Sequence, residues 1–551
     1  MNVLYSAILF LAAFIWDLHR LCPGIFADDS PETVTAIFTL GVAHMPGDPV
    51  LVLLGRLAGF LPVGSPAFRV NILSAALGAV VVVLVWRLAD YGEKSRSFRL
   101  VSAIAALALV MGNPVLAQQF AVAKGATYGL NLALILGGFL AVRAGRPLPI
   151  FILMGLLAAH HWMTFAAIVP ALGCFLVWHW HRPSPGRARR TVIAVALLLL
   201  GVSPLVAGPI RAAYAPGLNM GAVSTAGRFA VHLARQPFHY REMKPTGTGM
   251  ARQAAFGTVE IARQLHVVGC TLVVAGVRIL YWLNDGILAV AVTAAVSVLV
   301  SASLYLNLPP DQLRLLGIFL LPAMVALAVV GTYGAGHYAR KISTGARLLL
   351  IIFLVTHMSG KRSPEVDVSR FTWSYDLARA MLAPLPPKAA LIVTSDLDTF
   401  PLWYLQQVEG FRPDVRVVNR ILLNHRWYRE QVGCPEPGDA KRIVWPAKLA
   451  APSPDMKAAS VRAFLDADRR RAWFTSPAPV EGVPSRLHPA AYHLTCRLVS
   501  GSSVPVRARG FTWRGVFERY RHIPEPHSEL AVGYTLESFQ YLAAVSAHGV
   551  Y

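Results

Sequence analysis

The chain has 551 residues, of which 55% are hydrophobic and only 15% charged. A soluble globular protein carries roughly a quarter charged residues, and disorder needs low hydrophobicity with high charge, so both classes are excluded for the chain as a whole. The net charge of +22 arises from 51 Lys and Arg against 29 Asp and Glu. These basic residues do not form the stripe of a nucleic-acid binder. They cluster between apolar stretches, at 87–99, 143–146 and 182–190, the distribution expected of basic inner loops in a membrane protein.

Apolar segments follow one another at about 3–16, 67–86, 100–113, 126–142, 150–160, 162–180, 191–210, 266–283, 286–306, 313–332 and 346–358. They predict a multi-span α-helical membrane protein with about eleven transmembrane helices. Several fall short of the ~20 residues that cross a bilayer and need flanking residues or tilt. Asp17, His19 and Arg20 interrupt the path to a cleavage site near Ala27, so the first segment reads as an anchor rather than a signal peptide. With Met1 inside, the basic loops all fall inside too. Outer loops are then expected at 18–66 and 211–265, on a transmembrane part that covers 1–358.

Residues 359–551 are richer in Pro, Arg and Asp and read as an extracytoplasmic α/β domain. "AALIVTS" (389–395) is a short apolar strand, "DTFPLWYLQQVEG" (398–410) a helix, and "VRVVN" (415–419) a second strand. No GxGxxG or Walker sequence marks a nucleotide site. Cys22, Cys174, Cys270, Cys434 and Cys496 lack metal-site spacing. Cys434 and Cys496 could pair if exported, or remain free thiols. No metal and no other cofactor is expected.

The polar clusters bear on function. Asp28, Asp29 and Glu32 follow the first apolar segment, and carboxylates beside hydrocarbon stay ionised only when they face water or a polar cavity. Asp29 and Glu32 are three apart and share a helix face, with Pro31 suited to the first turn. The alternative is a solvated cap starting a juxtamembrane helix. His44 enters a Pro/Gly turn, and Arg69 and Asn71 stand at the outer end of the second segment. His160 and His161 separate two apolar segments, where adjacent histidines suit hydrogen bonding better than metal ligation. Arg211 opens the second outer loop, a placement suited to phosphate or to interfacial anchoring. His232 and Arg235 follow on an amphipathic stretch. Cations for a lipid phosphate and a carboxylate base for a hydroxyl nucleophile permit sugar transfer from a polyprenyl-phosphate donor.

"PGIFADDSPETVTAIFTLGVAHMPGDPVLVLLGRL", "FRVNILSA", "YGLNLALIL", "GLLAAHHWMT" and "PIRAAYAPGLNMG" occur in the order found in one family. The chain resembles the multi-span glycosyltransferases that include vertebrate transmembrane protein 260, with their bacterial relatives. The segment "ALIVTSDLDTFPLWYLQQVEGFRPDVRVVNRILLNHRWY" is similar to one that follows the membrane part in those relatives. The resemblance implies a GT-C fold and sugar transfer on the extracytoplasmic face of a bacterial inner membrane. The partners it implies are a polyprenyl-phosphate sugar donor, an exported protein or glycan acceptor, and the bilayer, without nucleic acid.

By position, the family's Asp-Ser-Gly-Glu falls on Asp29, Ser30, Pro31 and Glu32, and its His-Pro-Pro-Gly turn on His44, Met45, Pro46 and Gly47. Pro31, Met45, Asp48 and Ala126 depart from the pattern, and Asn219-Met220-Gly221 lacks the family's tryptophan. The resemblance makes Asp29 the base and Glu32 its helper. The family's Arg and Asn in the second outer loop fall on Arg211 and Asn219, and its histidine before Thr on His161. Together with the polar clusters read above, Arg211, Arg69 and His44 are expected to bind the donor phosphate, and Asp28, Asn71, His161, Asn219, His232 and Arg235 to contact substrate. Mannose transfer to Ser or Thr of exported proteins is the leading expectation, with a cell-envelope glycan as another acceptor. A lipid flippase using Lys124, His160 and His161 is a different class. A receptor binding through Asp396 and Asp398 is a third.

Overall fold

A computed structural model describes residues 2–93, 95–181, 186–235, 246–283, 285–306, 308, 310–359, 366–434, 461–465, 472–474, 487–492 and 495–500. The chain is a multi-span helical protein. Among the described residues, six helices are long and apolar enough to cross a membrane, or eight if each sharply bent pair counts as one span. The expected eleven is therefore not reached by length and composition.

Helix α1 covers Asn2–Leu18. Helix α2, Ser30–Thr39, starts behind Asp29 with Pro31 in its first turn, where the missing amide costs nothing. It ends at Leu40, which adopts φ 46° and returns its amide to Ala36 and Ile37. Helix α3 is Pro49–Ala58 and α4 is Pro66–Ala89, the latter capped by the Ser65 hydroxyl. Helix α5, Arg96–Met111, bends by 80° into α6, Pro114–Phe120. Pro114 cannot continue α5, and the Asn113 side chain accepts the Val115 and Leu116 amides at 3.1 and 3.0 Å to begin α6 afresh.

Helix α7, Gly125–Arg143, follows at once. A Cβ on Gly125 would stand 1.5 Å from the Gln119 carbonyl oxygen. Only glycine permits this tight α6–α7 corner, and the corner fixes where Lys124 lies.

Helix α8, Leu148–His181, is broken at His161 (φ −149°, ψ 83°). The two arms lie antiparallel. Phe151 meets Trp180 edge-on with ring centroids 5.3 Å apart, whereas a straight helix would separate them by roughly 44 Å at ~1.5 Å per residue. The two apolar segments predicted at 150–160 and 162–180 are thus separate arms turning at the histidine pair.

Helix α9, Arg187–Val202, continues through a 3-10 turn into α10, Ala207–Ala213, and α11 is Ala226–Leu233. Helix α12, Gly247–Trp282, bends at His266. The outer loop expected at 211–265 therefore ends earlier, because Gln253, Glu260 and Gln264 are buried on α12 rather than solvated. Helix α13 is Gly286–Tyr305, α14 is Leu316–Phe319, α15 is Leu321–Ala339 and α16 is Thr344–Ser359. Small residues let α12 and α15 touch: a Cβ on Gly276 would lie 2.1 Å from the Val330 carbonyl oxygen.

Beyond the membrane-type helices come α17 (Trp373–Leu382), β1 (Ala390–Val393), α18 (Asp396–Gln407), β2 (Arg416–Asn419) and α19 (Arg426–Val432). Strands β3 (Ala472–Phe474), β4 (Leu487–Tyr492) and β5 (Thr495–Ser500) complete a sheet ordered β2-β1-β3-β5-β4. Strand β1 runs parallel to β2 and β3, and β5 antiparallel to β3 and β4. The predicted strand–helix–strand unit is present. Cys434 is buried, and the side chain of Cys496, its possible partner, lies outside the described residues. Helix α18 packs on α2, so this unit rests directly on the segment carrying Asp29.

Candidate active site

The start of α2 is held from three sides. The Asn71 side chain donates to the Cys22 and Gly24 carbonyls at 2.7 and 2.9 Å, fixing the turn that leads to Asp28. Ser74 of α4 donates to the Val122 carbonyl at 2.7 Å, and the Lys124 amide donates to the Ser30 hydroxyl at 3.2 Å. These bonds bring the α6–α7 corner against the acidic residues.

Glu32 is 1% exposed and is occupied by one partner. It accepts the His44 backbone amide at 2.6 Å and bonds the His44 Nδ1. The ring is thereby aimed so that Nε2 lies 3.6 Å from Asp29 Oδ2. Lys124 Nζ stands 3.6 Å from the same oxygen and 3.5 Å from Asp48 Oδ2. Asp48 also accepts from the Thr127 hydroxyl at 3.0 Å. Two carboxylates therefore flank one ammonium.

The charges set the protonation states. Burial opposes the charged form of His44, but the Glu32 and Asp29 carboxylates outweigh it and push the imidazole up to about 9. Burial likewise opposes ionisation of Asp29, yet His44 and Lys124 hold its carboxyl below the usual value. Asp48 is depressed in the same way by Lys124 and its histidine neighbours. Surrounding protein, then Asp29 and Asp396, push Asp28 up to about 7. Asp396, at the start of α18, is also raised to about 7, by its surroundings and then by Asp29.

Asp29, His44, Asp48, Lys124, Tyr128, His161 and Arg235 line one cavity of about 520 Å³. Its lining from α13 to α15 is mostly apolar, with Val298, Ala302, Leu304, Leu306, Ile318, Phe319, Leu321 and Pro322 around Ser301 and Tyr305. The Arg235 guanidinium bonds the Met45 carbonyl, and His161 Nδ1 lies 2.9 Å from the Thr164 hydroxyl. A charged end and a hydrocarbon-lined end in one chamber suit an amphiphile bearing an anionic group. Asp29, Glu32 and His44 also present ligand-type atoms within 4.8 Å of one another, but a protonated His44 engaged by Glu32 has no lone pair for a metal.

Several expected ligands lie elsewhere. Arg211 donates to the Leu40 carbonyl at 2.8 Å and the Thr39 carbonyl at 3.1 Å. It grips the far end of α2, a helix of ten residues, roughly 15 Å along the axis from Asp29 at ~1.5 Å per residue. Arg69 donates to the carbonyls of Val63, Gly59 and Gly64 and holds that loop. Asn71 is buried under the 22–24 turn. Asn219 donates to the Ala212 carbonyl and lies next to a bridge between Val42 and the 218–220 segment. His232 faces a second cavity. Asp398 caps α18 through Ser395. Lys124, Asp48 and Asp396 join the site without having been assigned to it. Lys124 enters the sequence reading only on the path of a lipid flippase, and Asp396 only as a ligand of a receptor.

Residues 29–126 match the family model for the Protein O-mannosyl-transferase TMEM260 N-terminal domain, and 374–436 that for TMEM260-associated domain 2. Over these segments the chain is similar to TMEM260. The mouse (Mus musculus) Protein O-mannosyl-transferase TMEM260 is 25% identical over 525 residues, covering 86% of this chain and 70% of the mouse protein. The TMEM260 N-terminal match contains Asp29, Glu32, His44, Asp48 and Lys124, and the second match contains Asp396. Among solved structures, ArnT from Cupriavidus metallidurans bound to undecaprenyl phosphate aligns with TM-score 0.44 and 13% identity, over 76% of this chain and 89% of that one. The archaeal oligosaccharyltransferase AglB from Archaeoglobus fulgidus aligns with TM-score 0.40 and 11% identity, over 75% and 64%.

Proposed function

We propose that the chain is a membrane-embedded, inverting glycosyltransferase that moves a sugar from a polyprenyl-phosphate donor to an acceptor hydroxyl. The observation that carries this reading is the single chamber in which an ionised Asp29, with Lys124, His44 and Arg235 near it, faces an apolar wall. In this reading the donor's hydrocarbon lies against α13–α15 and its phosphate meets the cations. The acceptor oxygen attacks the anomeric carbon as its proton passes to Asp29. The bond from that carbon to the phosphate oxygen breaks, and polyprenyl phosphate leaves with the electron pair. Phosphate needs no general acid, so one carboxylate suffices, and the fixed cations stabilise charge as it develops.

Glu32 acts as a positioning residue, through His44. The phosphate-stabilising role moves from Arg211 and Arg69 to Lys124 and Arg235, because these line the chamber. The mouse relative's name supports mannose as the sugar and a protein as the acceptor; Ser or Thr of exported proteins remains the expectation from the sequence. The placement of the basic loops supports residues 359–551 lying outside the cytoplasm, and a bacterial inner membrane is the location that the sequence resemblance implies. Asp29→Asn in purified full-length protein is the test. Loss of transfer by about 10³-fold or more, with thermal stability and donor binding retained, is expected. Undiminished transfer would remove Asp29 from the chemistry.

A further inference from the structure

The turn from His44 to Asp48 separates the main chamber from a second cavity of about 230 Å³, with Pro46 in both walls. Leu205, Ile210, Phe229 and Val52 give the second cavity an apolar surface, broken only by Arg211 and His232. His232 is 2% exposed, and neither ring nitrogen has a hydrogen-bond partner among the described residues. A buried polar group in that state calls for a partner. The ring is held between two glycines in left-handed backbone: a Cβ on Gly47 (φ 100°) would meet Nε2 at 3.0 Å, and one on Gly221 (φ 81°) would meet Nδ1 at 3.0 Å. Burial, then the His44 and Arg235 charges, hold the imidazole down at about 4. It is therefore neutral and offers one donor and one acceptor.

Arg211 spends Nε and Nη2 on backbone carbonyls, and among the described residues no carboxylate forms an ion pair with it. Its charge is complemented only by the dipole at the end of α2. Exposed Leu53, Val206 and Ile210 flank the cavity, on surface that faces hydrocarbon in a membrane protein.

We propose that this cavity binds an anionic phospholipid of the surrounding bilayer. One acyl chain lies against Leu205, Ile210 and Phe229, the phosphate meets the Arg211 guanidinium, and a lipid oxygen accepts a hydrogen bond from His232. The apolar walls disfavour a free aqueous anion. The length of α2 between Arg211 and Asp29 disfavours the sugar donor, whose phosphate must reach the chemistry. The inference does not depend on the proposed transferase activity.

Gly208 supplies the discriminating variant. A Cβ there would touch Phe229 at 3.8 Å and Val223 at 3.9 Å, so alanine fits at ordinary contact and leucine extends into the cavity. Full-length protein is placed in phosphatidylcholine vesicles doped with phosphatidylglycerol that carries a diazirine on one acyl chain, and photolabelled peptides are mapped by mass spectrometry. Residues 205–211 and 223–232 are expected to label in preference to the same probe on phosphatidylcholine. Unlabelled phosphatidylglycerol should compete, and polyprenyl phosphate should not. Gly208→Leu should lower labelling of 223–232 by about tenfold, the equivalent of ~1.4 kcal/mol, while Gly208→Ala and the exposed surface of α13 label as before. Equal labelling by both lipids, competition by polyprenyl phosphate, or full labelling of Gly208→Leu would each overturn the proposal.

Discussion

Glu32→Gln removes one charge while leaving an oxygen for the His44 amide, and so isolates the electrostatic link between the two residues. His44 rises from 6.5 to about 9, a shift of ~2.5 units or about 3 kcal/mol at 1.36 kcal/mol per unit. Glu32 bonds the ring directly and Asp29 lies 3.6 Å away, so Glu32 is the larger of the two contributors. The variant imidazole should then titrate about 1–2 units lower, between ~7 and ~8. A histidine raised on folding contributes stability that is complete below its unfolded value and is lost as pH rises through its folded value. The wild-type melting temperature, followed by intrinsic fluorescence in detergent, should accordingly contain a decline that runs from about 6.5 and is complete by about 9. In Glu32→Gln that component should be smaller and complete one to two units lower. The alkaline limb of transfer should shift with it. Difference curves that coincide across the whole range would refute the Glu32–His44 assignment.

Lys124→Met leaves Asp29 and Asp48 without the ammonium that stands 3.6 and 3.5 Å away. A loss of roughly 3–5 kcal/mol is expected, with partial recovery in Lys124→Met/Asp48→Asn, both read by thermal unfolding. Asp396 and Asp28 are raised acids, so ionising them near pH 7 destabilises the contact between the α18 unit and α2. Asp396→Asn should melt a few degrees above wild type at about pH 8–9, with the difference shrinking as pH falls and gone below about pH 4. His44 and Lys124 already place two positive charges beside Asp29. Transfer is therefore expected to survive exhaustive chelation, and a loss reversed by adding a divalent cation would show that the Asp29–Glu32–His44 group binds metal.

The part of the site encoded locally was legible in the sequence. Asp29 and Glu32 fall on one face because three residues is nearly a helical turn, and Pro31 marks where that helix begins. The histidine pair marked the reversal of α8 because two polar residues interrupted an apolar run. Lys124 was not legible as a site residue. Its place depends on the α5–α6 bend at Pro114 and on the close approach at Gly125, and neither distance is written in local spacing. Arg211 misled for a related reason: a position in an outer loop does not say which end of α2 its guanidinium reaches. Asp396 joins from a unit more than 350 residues away in the chain, through the packing of α18 on α2. The start of α12 was missed because its polar residues are buried against neighbouring helices, while their composition reads as a solvated loop.

Incubating the purified full-length protein with polyprenyl-phosphate mannose and a Ser/Thr-containing acceptor peptide, then analysing products by mass spectrometry and NMR, addresses the central claim. The expected product is a peptide carrying one hexose on a hydroxyl, inverted at the anomeric carbon, with polyprenyl phosphate released in equal amount. Passage of the intact lipid-linked sugar across vesicles without any new glycosidic bond would contradict it.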